Sequence, residues 1–182
     1  MVDDKATGES DDSQRTYLVD KHRMNYEGLF VIQDLYKLID EYYEEKGYDK
    51  REFKNAEIVR DDGMRFIEII FEPWKKITDY AKSVIKLRMI MDNVKDVEIE
   101  KEGIKVNAHH GSLSFVFDVY VDTDYEGRWG GKWGNKGTYG FIRILFDRYF
   151  FKQYTQQYYA EALDDYRMLS YQIKSYLNMH KQ

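Results

Sequence analysis

The chain has 182 residues, of which 43% are apolar, 34% charged and 16% aromatic, with 12 glycines, one proline, no cysteine and a formal net charge of −5. This length sets one globular domain with its own core, and the lack of thiols excludes a disulfide framework, a thiolate metal site and cysteine catalysis. No run approaches the roughly 18 apolar residues of a membrane span, and the N-terminus lacks the apolar core of a signal peptide, so the expected compartment is the cytoplasm.

The charge is unevenly placed. Residues 1–20 carry six acids against Lys5 and Arg15, a net of −4, while the other 162 residues hold 27 acids and 26 bases. The opening stretch is rich in Asp, Ser and Gly and cannot bury enough surface to offset its ordering entropy. Residues 1–22 are therefore expected to form a disordered acidic tail, and residues 23–182 a single α+β domain.

Met24–Phe30 reads as a short strand. After it, Val31, Ile32, Leu35, Leu38, Ile39, Tyr42 and Tyr43 recur at spacings of three and four, one face of a helix expected across 31–46, with Gly47 as its stop. The period then changes to two. Met64–Phe71 is an apolar strand ended by Pro73. Ile85, Leu87, Met89 and Met91 alternate with Lys86 and Arg88; Val97 and Ile99 alternate with acids. After a turn at Lys101-Glu102-Gly103, Ile104, Val106 and Ala108 alternate with Lys105 and Asn107. Leu113, Phe115, Phe117, Val119 and Val121 form a further alternating run beyond a turn at His109-His110-Gly111. The pattern is an antiparallel β-meander with one buried face.

From Thr138 onward there is no proline, and the only glycine is Gly140. Ala162, Tyr166, Leu169, Ile173 and Tyr176 recur at heptad-like spacing. A continuous helix of about 40 residues would reach about 60 Å, longer than this sheet can cover. Either it breaks near Thr155 or its last turns project, and the seam from Ala162 to Tyr176 is expected to meet a protein partner, a second copy of this chain included. Of the 17 tyrosines, a residue type suited to interfaces, Tyr158, Tyr159, Tyr166, Tyr171 and Tyr176 in the last helix are too many to hide in one core, and some of them are expected to face that partner.

The expected fold is thus an antiparallel meander packed on a long C-terminal helix, with one N-terminal helix. This element order, over residues 24–160, resembles the helix-grip arrangement of START-like and polyketide-cyclase-like ligand carriers, which implies an apolar cavity between sheet and final helix. Tyr26-Glu27-Gly28-Leu29-Phe30, Leu35-Tyr36-Lys37-Leu38-Ile39-Asp40 and Glu45-Lys46-Gly47-Tyr48-Asp49-Lys50 resemble small uncharacterised proteins of archaeal genomes, which implies an origin and no activity.

No motif assigns catalysis, a cofactor or a metal. His109 and His110, adjacent on an extended chain, point to opposite faces, and no further ligands stand at metal-like spacing. Asp118, Asp122, Asp124 and Glu126 lack the twelve-residue calcium-loop pattern and read as a solvated strand end. Gly111-Ser112 lacks the flanking glycines of a nucleophile elbow, and Gly130-Gly131-Lys132 lacks the spacing of a phosphate loop.

The strongest anomaly lies between Tyr125 and Gly137, where five glycines accompany Arg128, Trp129, Lys132, Trp133 and Lys136. With Arg143, Arg148 and Lys152 the bases from 128 to 152 outnumber Asp147 by five. Bases interleaved with rings suit single-stranded nucleic acid, and a membrane surface is the least favoured reader of the same composition. The sequence therefore points to a non-enzymatic interaction module using the C-terminal aromatic helix and this Arg/Trp/Gly-rich loop. The alternative is a START-like carrier of an apolar small molecule between sheet and C-terminal helix.

Overall fold

The computed structural model describes residues 14–49, 52–61, 63–78, 81–101, 104–123 and 152–179. In chain order the elements are β1 (Gln14–Phe30), α1 (Ile32–Glu45), β2 (Glu52–Val59), β3 (Arg65–Phe71), β4 (Trp74–Lys76), β5 (Ala81–Lys101), β6 (Ile104–Thr123) and α2 (Lys152–Met179). The six strands make one antiparallel sheet in the order β1-β6-β5-β3-β2, with β4 pairing separately on β5. This is the expected α+β architecture, an antiparallel sheet with one N-terminal and one C-terminal helix.

One sheet face and the two helices share a core. Ile85, Leu87, Met89 and Met91 of β5 and Leu113, Phe115, Phe117 and Val119 of β6 are fully or almost fully buried, as period two requires. Against them pack Leu35, Ile39, Tyr42 and Tyr43 of α1 and Ala162, Leu169, Ile173 and Leu177 of α2. Burying one such side chain contributes roughly 1.5–3 kcal/mol. The helix expected across 31–46 runs Ile32–Glu45, and Gly47 follows at φ +72°, the left-handed conformation that ends helices.

The strands differ from the expected meander in length. Residues 84–91 and 97–100 belong to one strand, β5, and residues 104–108 and 113–121 to another, β6, so His109-His110-Gly111 is no turn. The cause is a bulge. The β5–β6 register shifts between Asp92 and Lys95, and Asn93 sits at φ +54°. Met91 and Val94 are both fully buried although three residues apart, so strict alternation fails there while the strand continues. A Cβ on Gly111 would lie 2.9 Å from the Asp92 carbonyl oxygen, so glycine is what lets β6 run past the bulge.

The first strand begins at Gln14, so residues 14–22 are not the disordered tail their composition implies; residues 1–13 lie outside the described residues. Its pairing partner supplies the order. β6 offers a long edge, and Gln14 through Tyr17 pair with Thr123 through Tyr120. Arg15 places its guanidinium on Asp122 and 4.0 Å from the centre of the Tyr120 ring, and Leu18 and Val19 pack against the core.

The C-terminal helix also departs from expectation. It passes through Thr155 unbroken, and residues 138–151 lie outside the described residues. Its last turns do not project, because Tyr176 and Leu177 are buried. The expected partner seam is the helix's own packing face. Ala162, Leu169 and Ile173 are at most 2% exposed, and Tyr166 is half-buried, edge-on to Phe117 with its hydroxyl 2.8 Å from His22 Nδ1. Heptad spacing marks an apolar stripe, and here the sheet covers that stripe.

Candidate functional site

Many of the tyrosines hold the fold together. Tyr176 on α2 reaches the junction of β1 and α1, where its hydroxyl accepts from the Val31 N–H at 3.2 Å and donates to the Val31 carbonyl at 3.1 Å. Tyr42 donates to the Asp165 carbonyl at 2.6 Å, and Tyr43 to the Ile85 carbonyl at 3.1 Å. Each joins elements far apart in sequence and satisfies a backbone group that would be costly to bury unpaired. Burial pushes the Tyr176 hydroxyl up to about 12 and shifts Tyr42 and Tyr43 upward too, so all remain protonated donors at neutral pH.

Three buried carboxylates each lie between two bases. Asp165 of α2 accepts from the Tyr48 hydroxyl at 3.3 Å and lies 3.5 Å from Lys46 and 3.9 Å from Lys75. Lys75 also reaches Glu161 at 2.6 Å. This cluster clamps α2 to the end of α1 and to β4. Asp122 takes a two-pronged contact from Arg15, at 2.8 and 3.2 Å, with Lys82 at 3.6 Å; the bond to Asp122 raises the pKa of the Arg15 guanidinium. Beside it, Tyr120 donates to Glu72 at 3.0 Å, and Lys86 approaches Glu72 at 3.1 Å. Glu68 accepts from Lys54 and Arg88, and the Lys54 bond, aided by Arg88 against the opposing effect of burial, holds its carboxyl below the usual range. Such acids are committed to their own fold. Their side chains are at most 8% exposed while the bases reach solvent, so removing the bases would leave a buried carboxylate uncompensated, the expensive half of such a pair.

The histidines separate as expected: His109 is buried and His110 exposed. His109 stacks on Phe30 with ring centres 6.0 Å apart, and its Nε2 lies 3.5 Å from Asp96. Burial, with Arg65 nearby, pushes its pKa down, which keeps the ring neutral at pH 7. Asp118 accepts from the Lys21 backbone N–H at 2.8 Å, and Asp122 is held by Arg15, so these two are structural groups. Asp124 and Glu126 lie outside the described residues. Among the described residues no group of three His, Asp or Glu side chains is placed to hold a metal.

Of the expected loop and basic-helix residues, Arg128, Trp129, Lys132, Trp133, Lys136 and Arg148 lie outside the described residues, and Lys152 opens α2. The inward face of the sheet, where a carrier would hold its ligand, is lined by Ile85, Leu87, Leu113, Phe115 and Phe117, all at most 1% exposed and packed in one cluster with α2. Phe146, expected on the same face, lies outside the described residues. An open groove of about 390 Å³ between α1 and α2 is lined by Asp34, Lys37, Glu41, Glu45 and Gln172, with Tyr176 at its floor. No helix among the described residues is long and apolar enough to cross a membrane.

Of the large apolar groups left in water, sequence reasoning named Tyr171, among the tyrosines too many to hide in one core, and did not single out Met168, Ile58 or Val59. Met168 and Tyr171 on α2 are 49% and 68% exposed, and Ile58 and Val59 at the end of β2 are 58% and 65% exposed. In α2 the pair stands three residues apart and so on one helix face, opposite the stripe that packs on the sheet. Met168 falls outside the heptad-spaced stripe, so spacing gave no signal for it. No known protein family, curated protein or solved structure matches the chain, so its own residues carry the functional argument.

Proposed function

We propose that the chain is a non-enzymatic interaction module that presents the outward face of α2, centred on Met168 and Tyr171, to another macromolecule. The observation that carries this reading is the exposure of those two side chains on a helix whose opposite stripe is already filled by the sheet. A flexible thioether and an amphipathic ring are side chains that interfaces favour, and beside them Arg167 pairs with Asp164 at 3.1 Å, a charged border to an apolar centre. The composition of residues 125–137 supports a macromolecular partner as well, with Arg128, Trp129, Lys132, Trp133 and Lys136 suited to an anionic one. The dense packing of the sheet's inward face favours this reading over an apolar carrier.

The test is the double variant Met168→Ser with Tyr171→Ser in the full chain, used as bait in a lysate of the source organism. Exposed positions such as these change stability by about 0.5 kcal/mol or less, whereas central interface residues typically cost more than about 1 kcal/mol of binding. Thermal unfolding should match the parent while recovery of the bound partner falls at least about tenfold. Unchanged recovery, or capture of nothing by the parent, contradicts the reading.

A further inference from the structure

We infer that the outer edge of β2 pairs with the same edge of a second copy of this chain, antiparallel and about a two-fold axis at Ala56. The inference rests on the interaction-module reading and names one partner within it. Besides the three-residue β4, whose Trp74 is bridged by Asp49, two strands bound the sheet, β1 and β2, and they are unlike. β1 breaks register between Tyr17 and Val19 and again between Val19 and His22, and Lys21 sits at φ +49°. Irregularity combined with charge turns an edge away from foreign strands. β2 is irregular only between Glu52 and Lys54, and from Lys54 to Val59 it follows β3 residue for residue. It has no Pro or Gly, and among the described residues no strand pairs with its outer side.

The charges on β2 do not guard it. Lys54 is bonded to Glu68, which Arg88 shares, and Glu57 lies 3.4 Å from Arg65, so both are drawn back onto β3, the strand behind, and the two together carry no net charge. The strand then ends in two large apolar side chains, Ile58 and Val59, more than half exposed. An even, charge-neutral edge with exposed β-branched residues is a template for strand addition.

Symmetry decides for a second copy. In a continuous antiparallel sheet, directly opposed residues share a face, so they must have like parity. Centring the pair on Ala56 sets this small residue opposite itself at the axis. Asn55 then meets the partner's Glu57, an amide donor against a carboxylate, and the two-fold repeats the match. On the other face Lys54 lies beside the partner's Ile58, and its methylene stem can cover that side chain. Five paired residues per strand, Lys54 to Ile58, bury less than a standard stable interface, so the dimer is reversible and concentration-dependent.

Sedimentation of the full chain over a concentration series tests this, with Ile58→Lys and Ile58→Glu as paired variants. Ile58→Lys sets a second cation against the partner's Lys54 at two symmetric places, and the dimer dissociation constant should rise at least about tenfold. Ile58→Glu sets an acid there and should keep the dimer, while thermal unfolding of both variants stays at the parent value. A parent that remains monomeric at every concentration overturns the inference, as do two variants that behave alike. A monomeric parent that still binds its partner through Met168 and Tyr171 removes the inference and leaves the proposed function standing.

Discussion

Replacing Ile173 by Ala should destabilise the chain by about 2–5 kcal/mol, with Leu169→Ala costing a similar amount, and neither change should alter association. Both side chains are fully buried in the cluster that joins α2 to the sheet. Each substitution removes transfer free energy and leaves a cavity that Phe115, Phe117 and the neighbouring α1 residues can close only in part. For a chain of this size each kcal/mol lowers the melting temperature by roughly 2–4 °C, so the loss is readily seen in thermal or urea unfolding. The paired observation carries the weight. A small stability change together with lost association would make this stripe a partner surface after all, and the packing described above would be wrong.

The second large effect is expected at Gly111. Gly111→Ala brings a methyl group to 2.9 Å from the Asp92 carbonyl oxygen and to 3.2 Å from the Asn93 carbonyl oxygen and the Val94 Cα. All three are backbone atoms of the bulge, so no side chain can swing aside and the bulge itself must move. Strain of this kind costs about 1–3 kcal/mol and sometimes more. Gly28 lies directly across from Gly111 on β1, and both neighbours of β6 are irregular or glycine-bearing along that line. Urea unfolding should show the loss, and hydrogen exchange should show faster opening of the paired residues Lys95–Val97 and Ala108–His110. A neutral Gly111→Ala would mean that the close approach is not a constraint.

Legibility followed how local each signal was. α1 could be read because its buried residues, Leu35, Ile39, Tyr42 and Tyr43, repeat within one helix and end at a left-handed glycine. The inward faces of β5 and β6 could be read for the same reason. Their continuity could not, because the bulge at Asp92–Lys95 breaks parity and resembles a loop when only spacing is available. On the outer face of β5, Lys86 and Arg88 reach Glu72 and Glu68 on the β3 side, while Glu100 lies opposite Lys105 of β6. β2 escaped notice because an edge strand that buries little has no need to alternate. The start of β1 was hidden by its two register shifts, and its order depends on Asp122 and Tyr120, about a hundred residues away. The tyrosines misled for a similar reason. A ring with a polar tip suits an interface and an internal tie equally, and only tertiary contact shows that Tyr42, Tyr43 and Tyr176 find carbonyls on distant elements.

The seam is the most instructive case. Ala162, Tyr166, Leu169, Ile173 and Tyr176 have the spacing of a two-helix interface, and the prediction of an apolar stripe was sound. What spacing cannot specify is the surface that covers the stripe. In this chain a sheet of six strands is available in cis, so the helix is used up on its inward side, and the large apolar groups it leaves exposed are Met168 and Tyr171 on the other.

The central claim, a module that binds macromolecules and no apolar cargo, is tested most directly by native mass spectrometry of the full chain purified without denaturation. The account predicts the bare chain, its dimer at higher concentration and complexes with a macromolecular partner, with no small molecule retained. A single apolar molecule bound at one per chain and released on unfolding would contradict it, and would place the ligand between the sheet and the C-terminal helix.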